Sequence, residues 1–199
     1  MRGLLILLLA LAGLPAVAEE PHLLDVGVAI FDPGIPEDES LHDELEVFPR
    51  IREAESKYLP VTLRRELVDS GQWGVVRVVP ELGSLSEIMV EGRIIASTGR
   101  QQRVHVRVSD ATGRQWLDQE YMLVAGEQAA GSAEPYAGLY RQVALDMLNY
   151  RRALDERSLR EIRGVSLMRY AQSLSPEAFA GYLGQDEQGH YRLQRLPAQ

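Results

Sequence analysis

The sequence predicts an α/β (α+β) protein: a mixed sheet with a three-stranded antiparallel meander, helices on one face and a helical C-terminal appendage. Three observations carry this expectation. Val26, Val28 and Ile30 alternate with Asp25, Gly27 and Ala29, the period-two pattern of a strand. Between Glu87 and Val124, three strand-prone runs are separated by Ser97-Thr98-Gly99-Arg100 and Asp110-Ala111-Thr112-Gly113, both rich in turn-forming residues. Tyr136, Leu139, Tyr140, Val143, Met147 and Leu148 then recur at the steps of an amphipathic helix.

The elements follow in order. Leu24 to Phe31 is the first strand, half-buried or central, stopped by Asp32-Pro33-Gly34. Asp32 to Glu46 mixes Pro33, Gly34 and Pro36 with Glu37, Asp38, Glu39, Asp43, Glu44 and Glu46, a composition that reads as a solvated loop. Phe48 to Asp69 is helical, with Pro60 expected to split it in two because proline lacks an N–H and crowds the preceding turn. Val61, Leu63, Leu67 and Val68 form the expected core face of the second piece. Ser70-Gly71 is a helix stop, and Trp73 to Val79, closed by Pro80, is the second strand.

The meander runs Glu87 to Ala96, Gln102 to Ser109 and Gln115 to Val124, with Val104, Val106 and Val108 inward and Arg103, His105 and Arg107 on the polar face. A loop from Gly126 to Pro135 leads to the amphipathic helix, which extends to Leu154. Ser158 to Leu174 is a further helix with Leu167, Tyr170, Ala171 and Leu174 on one stripe. Ser175-Pro176-Glu177 looks like another helix start, and Gln188-Gly189-His190 like a last turn.

Ahead of these elements, Arg2, the apolar run Leu4 to Leu14 and Ala16-Val17-Ala18 form the three regions of a secretory signal peptide, so cleavage is expected between Ala18 and Glu19. The organisation expected is therefore 1–18 signal peptide, 19–155 α/β domain and 156–199 appendage. A periplasmic location follows, with no integral membrane span after cleavage. Arg2 leaves with the leader, so 21 basic and 29 acidic residues become 20 and 29, a formal charge of −9. That balance disfavours nucleic acid, whose phosphates require a basic face. The chain has no cysteine, which removes disulfides, thiolate chemistry and a lipidation site.

The catalytic inventory is sparse. His22, His42, His105 and His190 are scattered without metal-ligand spacing, and the acidic run at Glu37-Asp38-Glu39 lacks the register and glycine of a calcium loop. No G-x-S-x-G elbow, S-x-x-K pair or phosphate-binding glycine loop is present. Catalytic, metal and cofactor residues are accordingly assigned to none. Trp73, Trp116 and Tyr121 are the candidates for protein recognition, because large rings supply contact area at modest entropic cost; core packing is their alternative role.

One stretch carries a resemblance: Tyr58-Leu59-Pro60-Val61-Thr62-Leu63-Arg64-Arg65-Glu66-Leu67-Val68-Asp69-Ser70-Gly71-Gln72-Trp73-Gly74-Val75-Val76, followed downstream by Val90-Glu91-Gly92-Arg93-Ile94-Ile95 and Val108-Ser109-Asp110-Ala111-Thr112-Gly113. It resembles the small α/β domain of curli-assembly proteins and of the amino-terminal domain of TolB, and the whole string resembles uncharacterised proteobacterial secreted proteins. The resemblance implies envelope assembly or a binding scaffold without catalysis. The lipidated cysteine and long hairpins of curli pores are missing, as is a following propeller, so neither pore formation nor the partners of TolB are implied. The expected function is an exported, non-enzymatic module that binds another envelope protein, in an unspecified oligomeric state; the alternative is a periplasmic hydrolase using carboxylates such as Asp32 and Glu37.

Overall fold

The computed structural model describes residues 23–80, 86–125 and 136–195; the expected leader at 1–18 and the expected loop from Gly126 to Pro135 lie outside the described residues. The elements are β1 (Val26–Ala29), α1 (Leu41–Glu44), α2 (Pro49–Asp69), β2 (Val76–Val79), β3 (Ile88–Ser97), β4 (Gln101–Asp110), β5 (Gln115–Val124), α3 (Ala137–Ala153), α4 (Glu156–Leu174), β6 (Leu183–Gln185) and β7 (Tyr191–Leu193). The main sheet has the order β2-β1-β3-β4-β5. β1 is parallel to both its neighbours, and β3, β4 and β5 form the antiparallel meander. The fold is thus the mixed α/β class expected from the sequence.

β1 is buried on both faces, as befits a central strand. The meander keeps one wet face. Val104, Val106 and Val108 are fully buried, whereas His105 and Arg107 point outward beside Asp118. A one-residue slip would exchange these faces, so the valine alternation fixes the register. On the inner face α2 packs against β1, β2 and β3, and α3 packs against β5 and α2. Gly92 belongs to this layer because Phe31 lies across it: a Cβ at Gly92 would stand 2.6 Å from the Phe31 ring.

Four details depart from the sequence-based expectation. Pro60 does not divide α2, which runs unbroken for 21 residues. The carbonyl that Pro60 leaves without a helical donor, that of Ser56, instead accepts the N–H of Phe31 at 3.0 Å. Of the expected core face, Leu63 and Leu67 are buried but Val61 and Val68 are exposed. Val61 lies two residues from Leu63, about 200° around the helix, and Val68 returns to the Val61 side. Residues 32–46 are mostly loop, as expected, but include the single turn of α1.

The fourth departure is in the tail. α4 buries Ile162, Val165 and Met168, while Leu167, Tyr170 and Leu174, the expected stripe, lie on the exposed opposite side. Ser175-Pro176-Glu177 opens no helix; turns lead instead to a β6–β7 hairpin. The tail docks on the β4–β5 turn through Arg169 Nη1 to the Ala111 carbonyl (3.1 Å) and Tyr191 N–H to the Thr112 carbonyl (2.7 Å). No described helix is long and apolar enough to cross a membrane.

Gly92→Ala is expected to destabilise the protein by about 1–3 kcal/mol in urea unfolding, since the buried Phe31 ring has no room to retreat. A second expectation concerns pH. Asp155 caps α4 by accepting the Ser158 N–H at 2.8 Å, and Asp186 accepts the N–H groups of Gln188 and His190 in the β6–β7 turn. Backbone donors hold both carboxyls below the usual aspartate range. Their contribution is therefore complete above the unfolded value of about 4 and is lost as pH falls through the lower folded values. Hydrogen-exchange protection across 156–195, taken relative to the intrinsic amide rate at each pH, should fall on acidification in that window, and Asp155→Ala with Asp186→Ala should show reduced protection already at neutral pH.

Candidate functional site

A concavity forms where α2 begins. Phe48 occupies the N-cap and Pro49 the first helical position, where a missing N–H costs no helical bond. From there Phe48, Ile51, Glu55 and Tyr58 recur at steps of three and four, which places them on one stripe. The core stripe of the same helix is Leu59, Leu63 and Leu67. Phe48, Ile51 and Tyr58 remain 61%, 55% and 48% exposed. Opposite them stand the β3–β4 turn, from Ser97 to Gln102, and Tyr136; together they enclose a cleft of about 690 Å³. A volume of that order suits a ligand or several side chains of a partner.

Polar groups line the base. Ser97 Oγ donates to Glu55 Oε1 at 2.6 Å, Gln102 Nε2 donates to Ser97 Oγ at 3.5 Å, and Tyr140 donates to Gln102 Oε1 at 2.8 Å. The Tyr136 hydroxyl donates to the Thr98 carbonyl at 2.8 Å, and burial pushes its pKa upward. Glu55 Oε2 is buried and has no hydrogen-bond partner among the described residues. It forms an ion pair with Arg52 Nε at 3.9 Å. Arg52 is itself 1% exposed and reaches the Ile94 and Pro33 carbonyls at 3.4 and 3.5 Å. Burial lowers its pKa and Glu55 opposes that shift.

The lip is closed by Glu46, whose carboxylate meets Arg100 at 2.7 Å. Glu46 follows α1 with φ +52°, and the bonds Glu46 N–H to Asp43 O and Val47 N–H to His42 O form a Schellman closure. Glycine is the usual residue at that position, because a Cβ there is crowded by the following carbonyl.

The aromatic candidates drawn from the sequence do not meet in this cleft. Trp73, Trp116 and Tyr121 are all buried in the core. Trp116 stacks on Tyr150 with centroids 4.9 Å apart, lies 6.4 Å from Trp73, and donates its indole N–H to Asp110 at 2.9 Å. Arg151 covers Trp73 at 5.7 Å. Tyr121 donates to Asp146 at 2.9 Å, and burial raises its pKa. Asp32 accepts the Gly34 N–H at 2.8 Å and faces Arg93 at 3.6 Å, and Asp25 accepts the Val75 N–H at 2.8 Å. Sequence reasoning missed Phe48, Ile51, Tyr58 and Tyr136 as a group. The available signal was a second apolar stripe on a helix already supplied with a core face.

Fold and site together define a mixed α/β domain with an apolar cleft at one end of its sheet. No protein family and no curated protein matches the chain, so the curli-assembly and TolB resemblance gains no family match. Among solved structures, the chain is similar to a dodecameric PelC variant from Paraburkholderia phytofirmans, at 14% identity and TM-score 0.41 over 64% of this chain and 90% of that one. It is also similar to the hypothetical protein CT253 from Chlamydia trachomatis, at 11% identity and TM-score 0.36 over 65% and 99%. At these scores neither likeness carries an argument about this chain.

Glu46→Gly is expected to raise stability by about 1 kcal/mol in denaturant unfolding, through relief of the left-handed backbone, whereas Glu46→Ala, which keeps the Cβ, should not.

Proposed function

We propose that this protein is an exported, non-enzymatic module of the cell envelope that binds another envelope protein, and that the cleft beside the first turns of α2 receives it. The observation that carries the reading is the exposure of Phe48, Ile51 and Tyr58 along one wall of a cleft of about 690 Å³. Large apolar side chains gathered in a concavity with a polar rim are the anatomy of a recognition site. The signal-peptide pattern at 1–18 supports export, and the likeness of 58–76 to curli-assembly and TolB domains supports a scaffold role. The hydrolase alternative needs carboxylates poised for substrate, whereas Asp32 is occupied by the Gly34 N–H and Arg93.

A photo-crosslinking residue placed at Ile51, and separately at Arg107 on the outer face of the sheet, tests the reading in intact cells that produce the protein. Ile51 is expected to yield a discrete adduct with an envelope protein and Arg107 none. Adducts from Arg107 alone, or from neither position, would overturn it.

A further inference from the structure

We infer that the cleft accepts a cationic amphipathic segment of its partner, with a large apolar side chain seated against Phe48, Ile51 and Tyr58 and a Lys or Arg directed at the Glu55 carboxylate. The inference rests on the binding reading above and specifies the chemistry of the occupant.

Two independent features point to it. The first is charge. From residue 37 to residue 58 the chain carries eight carboxylates and three basic residues, and one of the three, Arg52, is buried. Arg100 faces the cleft and offsets Glu46 at 2.7 Å, which leaves seven carboxylates against the three basic residues of that stretch. The approach to the cleft is therefore negative, which attracts a cationic segment and repels phosphate, acidic lipid or an acidic peptide. The outer sheet face shows no such imbalance, because Arg103, His105 and Arg107 alternate with Asp118 and Glu120 at ion-pair distance.

The second feature is an unfilled bonding requirement. Glu55 lines the cleft, with Oε1 bonded to Ser97 and Oε2 buried without a hydrogen-bond partner among the described residues. That oxygen is already closed off from water, 3.9 Å from Arg52 Nε, so it lacks a hydrogen-bond donor before any occupant arrives. An ammonium or guanidinium in the cleft supplies the opposite charge to this carboxylate and, once the side chain turns toward it, the missing donor. The cleft also exceeds the needs of one side chain, and an amphipathic helix presenting anchors three or four residues apart would fill such a groove.

The test uses the mature full-length protein and two short capped peptides with the same Phe and Leu pattern, one bearing lysines and the other glutamates at the flanking positions. Fluorescence anisotropy is expected to show binding of the lysine peptide, at least about tenfold weaker for the glutamate peptide, and weakening as salt shortens the Debye length. Ile51→Asn should reduce affinity about tenfold and Glu55→Gln about fivefold, with circular dichroism confirming the fold. The salt series uses the unaltered protein, so the proposal stays testable if Glu55→Gln misfolds. Lysine-peptide binding indifferent to Ile51→Asn would mean attraction to the acidic loop alone and would overturn the inference. Ile51-dependent binding of the glutamate peptide, or no peptide binding alongside an Ile51 adduct in cells, would overturn it while leaving the binding reading standing. Absence of both peptide binding and the adduct would remove both.

Discussion

The hydrogen bond from the Phe31 N–H to the Ser56 carbonyl ties the sheet to its main helix, and the rest of the architecture follows from it. A proline inside a helix removes a donor and leaves the carbonyl four residues back without its helical bond, a defect of about 3 kcal/mol in an isolated helix. Here Pro60 creates that vacancy at Ser56, and the chain leaving β1 fills it. The neighbouring amides serve the sheet: Ile30 donates to Val79 in β2 and Asp32 to Gly92 in β3. Phe31 alone turns to the helix, while its ring lies across Gly92. One residue thus satisfies a helical defect and packs the centre of the core, and α2 is held with its first turns against the β3–β4 turn.

That placement gives α2 two apolar stripes with different tasks. Leu59, Leu63 and Leu67 join the sheet valines and Leu139, Val143 and Met147 of α3 in the core. Phe48, Ile51 and Tyr58 face the cleft. The retained left-handed backbone at Glu46 is consistent with a lip held for its side chain, since glycine would fold there more easily.

How much of this was legible in the sequence depends on the range of the interaction involved. Strand positions, the inward valines 104, 106 and 108 and the Asp110 turn are local patterns, and each stands where it was read, Asp110 accepting the N–H groups of Thr112 and Arg114. The continuity of α2 was illegible because the donor that rescues Ser56 is Phe31, in the chain just after β1 and far back in the sequence. The cleft was illegible because periodicity marks both stripes of α2 as apolar and only packing decides which is covered. The same ambiguity reversed the faces of α4, and the three-residue strands β6 and β7 are too short to leave a periodic signature. Trp73, Trp116 and Tyr121 drew attention as large rings, a property that suits cores and interfaces equally.

The Asp110 turn also separates the two ends of the molecule. With its carboxylate drawn inward by Thr112, Arg114 and the Trp116 indole, the turn leaves the carbonyls of Ala111 and Thr112 to receive Arg169 and Tyr191 from the tail. β4 runs from the cleft turn to this one, ten residues that span about 33 Å when extended. β1 starts at the Asp110 end as well, since Val26 pairs with Ile88 and Ile88 with Asp110. The tail and the entry of the chain into the sheet therefore share one pole, and the cleft occupies the other. Docking of α4 and the β6–β7 hairpin consolidates the domain without covering Phe48, Ile51 or Tyr58, so stability and recognition are built at opposite ends of the same strands.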